Sequence, residues 1–411
     1  MVQRGRKRDP RGAVLVVALL LLTLLAVLGL GLLNASLNEA VIARNDVNAQ
    51  RALGVAEAGL AYSRQLIGAN LSTITLNSRL TGATSSLPEV ALTGVTNVEG
   101  LEAGNGTFSA WVSNNLTAYA KSPGYAADWA AASDSDSLIW IRSLGTYRNA
   151  NRTVRVLVDF SSSEILDPPG TITLIDGAAT DAARFDGNAF LITGNDTPAP
   201  TAAGACGNPG ASKYGISVNS NASLAVVAAA VAANQENNVT GTDDGNPATG
   251  SYANNGNITP AELQRLANSL LPQATAIPGG SNSNSYGCGA ATAEGVTPAC
   301  SGPGLFKATT DLKLDGNGMG YGVLIVTANF EMAGNYKWEG LIIVVGTGNA
   351  QITGADSKIY GALLVANTQG GTTYLRVSGN GGAYYSSQAI CRVKNANLIP
   401  YSTIIAWQQV E

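Results

Sequence analysis

Apolar and small residues run almost unbroken from Ala13 to Leu33, with Thr23 the one polar interruption. As a helix this stretch would span about 30 Å, the thickness of a bilayer's hydrocarbon core. It passes straight into Asn34-Ala35-Ser36-Leu37-Asn38-Glu39. A secretion signal has a shorter apolar region followed by a small-x-small site, so the pattern predicts a retained helix. Beyond it, Val41, Ile42, Val47, Leu53, Val55, Leu60, Leu66 and Ile67 recur among Ala and other helix formers, and no proline falls between Pro10 and Pro88. One helix over 13–67 follows, lipid-soluble in its first half and amphipathic in its second, where it can carry a globular head.

The period then changes to two. Thr107–Val112 alternates, 137–147 is a longer strand-like run, 152–160 alternates strictly, and Arg148-Asn149-Ala150-Asn151 reads as the turn of a hairpin between the last two. Arg142, Arg148, Arg152 and Arg155 fit the solvated face of that hairpin better than a binding patch. Pro168-Pro169 marks a boundary. After it, Tyr321–Val326, Trp338–Val345 and Tyr360–Ala366 each join an aromatic residue and a glycine to a continuous apolar run, as strands buried on both faces do. Between these runs, Met332-Ala333-Gly334, Ile352-Thr353-Gly354 and Val377-Ser378-Gly379 share a step into glycine, which Leu191–Asn195 repeats upstream, at a spacing of about twenty residues. That spacing predicts an imperfect right-handed parallel β-helix from about Gly170 to the C-terminus, with a mixed β-sandwich as the alternative. A loop-rich insertion is expected over about 196–320. It would hold helices at Ala222–Ala233 and after Thr259-Pro260-Ala261-Glu262, a capping box with proline at the first helical position.

The charge adds an exclusion: the net charge is -4, so the chain lacks the basic field of a nucleic-acid partner. It has no histidine, which rules out Ser-His-Asp and Cys-His catalysis and a His-ligated zinc. Cys206, Cys288, Cys300 and Cys391 include no C-x-x-C pair and, in an exported chain, suggest two disulfides. Three pairings are possible. Proximity favours Cys288 with Cys300, which leaves Cys206 with Cys391; four buried free thiols are the other reading. The best local calcium candidate is Asp311-Leu312-Lys313-Leu314-Asp315-Gly316-Asn317-Gly318, through Asp311 and Asp315, but it lacks the EF-hand pattern. Asp134-Ser135-Asp136 and Asp243-Asp244-Gly245-Asn246 are weaker candidates, and a solvated turn explains each. No metal, no cofactor and no enzymatic activity are expected.

A basic leader (Arg4, Arg6, Lys7, Arg8, Arg11) that ends in Gly12 before an abrupt apolar helix resembles type IV prepilins. The likeness is nearest to PilX-type minor pilins, through Arg11-Gly12-Ala13-Val14-Leu15-Val16-Val17-Ala18-Leu19-Leu20 and, further on, Arg51-Ala52-Leu53-Gly54-Val55-Ala56-Glu57-Ala58-Gly59-Leu60. It covers about the first seventy residues. The resemblance implies cleavage by a prepilin peptidase between Gly12 and Ala13. It also implies a single pass through the bacterial inner membrane with a cytoplasmic N-terminus, as the positive-inside rule requires. Assembly with other pilin subunits at the pilus or cell surface would follow, with inner-membrane lipid as the partner beforehand and a surface or glycan target afterwards. Major pilins carry a glutamate at the fifth mature position that is thought to pair with a neighbour's terminal amine; here that position is Val17.

The expected class is therefore α+β: a leader (1–12), the pilin helix (13–67), a pilin-like α/β region with an antiparallel hairpin (68–167) and a solenoid-like head (168–411). The expected role is a minor-pilin-like structural subunit at or near the tip of a type IV pilus, in filament assembly or adhesion. The alternatives are a pseudopilin of a type II-like secretion system and a membrane-anchored carbohydrate-active β-helix protein.

Overall fold

A computed structural model of the protein describes residues 10–70, 76–84, 86–92, 106–115, 131–134, 137–160, 165–175, 182–201, 206, 210–242, 250–254, 258–288, 300–400 and 402–410. The first helix, α1 (Pro10–Asn70), runs 61 residues without a break. Its large apolar side chains from Leu15 to Val47 are 47–73% exposed. From Ala52 the helix acquires a buried face of Ala52, Val55, Ala56, Leu60, Ser63 and Ile67.

That face lies on an antiparallel sheet. After the short helix α2 (Leu76–Arg79), β1 (Val90–Ala91), β2 (Gly106–Asn114), β3 (Leu138–Tyr147) and β4 (Ala150–Asp159) follow in spatial order, and the chain's last strand, Thr403–Val410, completes the sheet beside β4. β3 and β4 form the expected hairpin, paired from Leu138–Asp159 to Tyr147–Ala150. Alternation decides which residues face α1: Ile139, Ile141, Val154, Val156 and Val158 join Ala56, Leu60 and Ile67 in one core.

Past Pro168-Pro169 the chain visits two sheets whose strands all pair in parallel. It enters through β5 (Gly170–Ile175), β6 (Ala182–Asp186) and β7 (Leu191–Thr193), then passes β8 (Tyr214–Val218), α3 (Asn221–Ala230), β9 (Val239–Thr240) and β10 (Tyr252–Asn254). The helix α4 (Pro260–Leu270) begins with the predicted capping box at Thr259 and Glu262. There follow β11 (Thr275–Ala276), β12 (Gly280–Asn282), β13 (Gly304–Ala308), β14 (Leu312–Leu314), β15 (Met319–Val326) and β16 (Phe330–Met332). Then come β17 (Lys337–Val344), β18 (Asn349–Ile352), β19 (Lys358–Ala366), β20 (Tyr374–Ser378), β21 (Gly382–Tyr385), helix α5 (Ser387–Asn395) and the last strand, β22 (Thr403–Val410).

The stacking order is not the chain order. The larger sheet reads β10-β8-β5-β19-β17-β15-β13-β11 and the smaller β12-β14-β16-β18-β20-β6. The chain enters in the middle at β5, builds outward to β10, and resumes after α4 at the opposite end with β11. It then returns strand by strand until β19 closes on β5, from Leu363–Ile172 to Ala366–Ile175.

Two expectations need correction. Much of 196–320 is not an insertion, because β8, β10 and β11 to β15 belong to the stacked sheets. Nor does the β-rich region extend to the C-terminus, because β22 pairs with β4. Strands such as β10 and β11 are short and not fully buried, so they lack the two-sided apolar signature that marks β15, β17 and β19.

Those long strands are buried on both faces. Leu324, Val326, Ile342, Val344, Leu363 and Val365 point between the two sheets. Val323, Ile325, Leu341, Ile343 and Leu364 lie under Leu263, Leu266 and Leu270 of α4 and Ile390 and Val393 of α5. A row of glycines crosses the stack in register, Gly304, Gly322, Gly340 and Gly361. A Cβ on Gly340 (φ +126°) would sit 2.1 Å from the carbonyl oxygen of Gly322, so no side chain fits there.

Candidate membrane anchor and assembly surface

The apolar half of α1 is the feature with the plainest chemical meaning. Among the described residues it belongs to the one helix long and apolar enough to cross a membrane. Gly12 and Ala13 fall within its first turn. No charged residue occurs between Arg11 and Glu39, so a bilayer around this span would meet no ionised group. Val17 is 55% exposed on this surface. A valine there offers a neighbour van der Waals contact but no ion pair.

Where α1 meets the sheet, the packing relies on absent side chains. A Cβ on Gly145 of β3 would lie 2.3 Å from the carbonyl oxygen of Ala52 and 2.3 Å from the nitrogen of Ala56. A Cβ on Gly59 would lie 2.5 Å from the Phe108 ring. The helix backbone therefore rests almost directly on the strand. Polar groups fix the ends of the contact: Arg51 Nη1 donates to Tyr147 Oη at 2.6 Å, and Arg64 Nη2 donates to the Ser402 carbonyl at 3.0 Å. The sequence reading missed Gly59 and Gly145. The available signal was Ala52, Ala56, Gly59 and Ser63 at helical spacing, with one glycine inside an otherwise bulky strand.

Of the hairpin arginines, Arg148 and Arg152 are exposed, as a solvated face requires, whereas Arg142 and Arg155 are half-buried. The Arg142 guanidinium lies 4.0 Å from the Trp111 ring centroid and pairs with Glu89 at 2.6 Å. That of Arg155 lies 4.3 Å from the Trp140 ring and that of Arg148 5.6 Å from the Tyr147 ring. Cross-strand neighbours on one face place cations over rings, and the arginine stems cover apolar surface. Arg152 stays exposed and donates to the Asn151 carbonyl at 3.2 Å.

In the head, Glu339 of β17 is fully buried. It accepts hydrogen bonds from the Thr201 backbone nitrogen at 3.1 Å, from Thr201 Oγ1, and from Arg392 Nη1. Arg392 Nη2 also donates to the Thr201 carbonyl at 3.0 Å. Burial pushes the Glu339 carboxyl above its ordinary range, while Thr201 and Arg392 act in the opposite direction. The disulfide Cys206–Cys391 holds the same two segments together, and Cys288–Cys300 closes a short loop near β13. Sequence pattern could not reveal this cluster, because its three polar members come from separate parts of the chain.

The weak calcium candidates serve as turn ligands. Asp311 Oδ1 accepts from Asn329 N and Nδ2 at 3.1 and 3.0 Å, and Asp315 Oδ2 accepts from Ser281 Oγ. Asp134 Oδ2 accepts from the Ser137 nitrogen at 3.1 Å. Among the described residues no group of three or more His, Cys, Asp or Glu side chains is placed to hold a metal. Asp136, Asp243 and Asp244 lie outside the described residues.

Residues 11–61 match the model of the PilX N-terminal family. This segment of α1 is thus similar to the N-terminal helix of PilX-type proteins. Among solved structures, the chain is similar to the competence-associated pilin ComZ from Thermus thermophilus, at 11% identity and a TM-score of 0.25, over 88% of this chain and 97% of that one. So loose an overlay leaves the fold to rest on the pairings described above. No curated protein matches the chain.

Proposed function

We propose that this chain is a minor-pilin-like structural subunit of a type IV pilus, placed at or near the tip, and that it is not an enzyme. The observation that supports this reading best is α1 itself. One helix carries a PilX-type segment, an uncharged apolar half with Val17 at the fifth mature position, and a second half seated on an antiparallel sheet. In this reading a prepilin peptidase cuts between Gly12 and Ala13, and the helix holds the protein in the inner membrane until assembly.

Val17 carries no cost in lipid, but it cannot pair with a neighbour's terminal amine. Such a subunit would initiate or cap a filament rather than repeat along the shaft. The two parallel sheets would form an imperfect right-handed β-helix that points outward and meets other subunits, a surface or a glycan. The catalytic alternative would need convergent acid groups in a cleft. Glu339, the most deeply buried carboxylate among the described residues, is instead saturated by Thr201 and Arg392.

The decisive experiment is mass spectrometry of the mature N-terminus with and without Gly12→Leu. We expect a native chain that starts at Ala13 and an uncut variant; unchanged processing would remove the reading. Sheared filaments should contain the protein far below the major subunit, and abundance equal to that subunit would contradict a tip position. Recovery only from secretion-system preparations would favour the pseudopilin alternative.

A further inference from the structure

The last strand of the antiparallel sheet is built for pairing, and among the described residues one of its edges has no partner strand. β22 is paired to β4 on one side and ends the sheet order on the other. Its sequence, Thr-Ile-Ile-Ala-Trp-Gln-Gln-Val, has no charged residue and no proline. Proteins commonly protect an open edge with charges, proline, a bulge or a very short strand; β22 has a bulge between Ile404 and Ala406 but neither charge nor proline, and Ala406–Val410 runs in unbroken register beside β4 as a template for another strand. The register adds a second observation. Ile404 lies opposite Val158 and Trp407 opposite Val156, and both valines belong to the core beneath α1. Directly opposed residues share a face, so Ile404 and Trp407 point to the side of the sheet that α1 covers. The helix covers β3 and β4 but leaves these two uncovered, at 40% and 51% exposure. Apart from Leu87, they are the only exposed large apolar residues among the described residues outside α1.

We infer that the free edge of β22, with Ile404 and Trp407, binds an extended, uncharged, β-prone strand from a different subunit that has its own pilin-type N-terminal helix. Geometry disfavours a second copy of this chain. Antiparallel pairing of β22 with itself sets a two-fold axis perpendicular to the sheet. The helix α1 lies along the sheet, so that axis would point the two membrane helices in opposite directions, and copies anchored in one membrane share one direction. Head-to-tail pairing would use the opposite edge of the sheet, where among the described residues β1 offers only Val90 and Ala91. A foreign strand that extends the sheet beyond β22 would cover Ile404 and Trp407 with its own apolar side chains. It would also bring its own helix alongside the exposed Val41, Ile42 and Val47 of α1.

This inference rests on the pilin reading, and a crosslinking experiment separates the two. The photo-crosslinker benzoylphenylalanine is placed at Trp407, or at Ile42, in the full membrane-anchored chain in cells that assemble filaments. The inference expects a Trp407 crosslink to an extended segment of a different pilin-helix subunit, and an Ile42 crosslink to a pilin-type helix. With the crosslinker moved to Gln409, Ile404→Lys with Trp407→Lys should lower the yield at least tenfold, while both disulfides and the Ile42 crosslink persist. Ile42 crosslinks without one from Trp407, a Trp407 crosslink only to a second copy, or an undiminished yield in the charged variant would each overturn the strand inference. Loss of pilin-helix partners from both positions in the unsubstituted protein would overturn the pilin reading as well.

Discussion

Asp159 and Arg265 form an ion pair, Oδ2 to Nε at 2.9 Å, with side chains only 7% and 19% exposed. The pair joins the end of β4, in the sheet that carries α1, to α4, the helix that packs across the larger parallel sheet. Both partners lie in low-dielectric surroundings, so removing one leaves a charge poorly solvated. Arg265→Met should therefore cost about 3 kcal/mol. Thermal unfolding of the detergent-solubilised chain, with limited proteolysis between 160 and 170, would register the loosened junction. An unchanged melting temperature would mean that the pair holds nothing.

Gly145→Ala tests the seat of α1. The added methyl would sit 2.3 Å from the Ala52 carbonyl oxygen and the Ala56 nitrogen, far inside van der Waals contact, so helix and strand must separate. The expected cost is about 1–3 kcal/mol. Gly54→Ala, where nothing lies within 4 Å, should be neutral or slightly stabilising. Equal effects at the two glycines would contradict the close approach.

The disulfides should differ in worth. Cys206–Cys391 spans 185 residues and Cys288–Cys300 only 12. Loop-closure entropy assigns the long bridge about 5 kcal/mol and the short one about 3 kcal/mol. Replacing Cys206 and Cys391 by serine should lower the melting temperature more than the same change at Cys288 and Cys300. The reverse order would show that chain entropy is not the main term.

Glu262 predicts a pH effect. Burial raises its carboxyl above the ordinary 4.5, partly offset by the hydrogen bonds from Thr259. A carboxyl with a raised folded pKa carries no penalty below its unfolded value, and it costs stability as pH rises through the folded one. Glu262→Gln keeps the acceptor for Thr259 and removes the titration. The variant should gain stability relative to the native chain as pH rises above about 4.5, and melting curves from pH 4 to pH 7 would show it. A constant difference would refute the burial argument.

The sequence alone determined those elements whose cause is local. A span of uncharged apolar residues specifies a membrane-length helix in any context, strict alternation specifies the β3–β4 hairpin, and Thr259-Pro260-Ala261-Glu262 specifies the start of α4. Continuous apolar runs marked β15, β17 and β19 as strands buried on both faces. The tertiary structure decided what depends on contacts between distant residues. It placed β5 against β19, although nearly two hundred residues separate them, and it sent β22 back to β4. It also brought Thr201, Glu339 and Arg392 together and pressed Gly145 against α1. Neighbouring residues fix the period of an element, because dihedral angles and side-chain direction are local properties. Which strand closes against which depends on the shape and hydrogen-bond edges each surface offers after the chain has turned back, and no short window of sequence contains both partners.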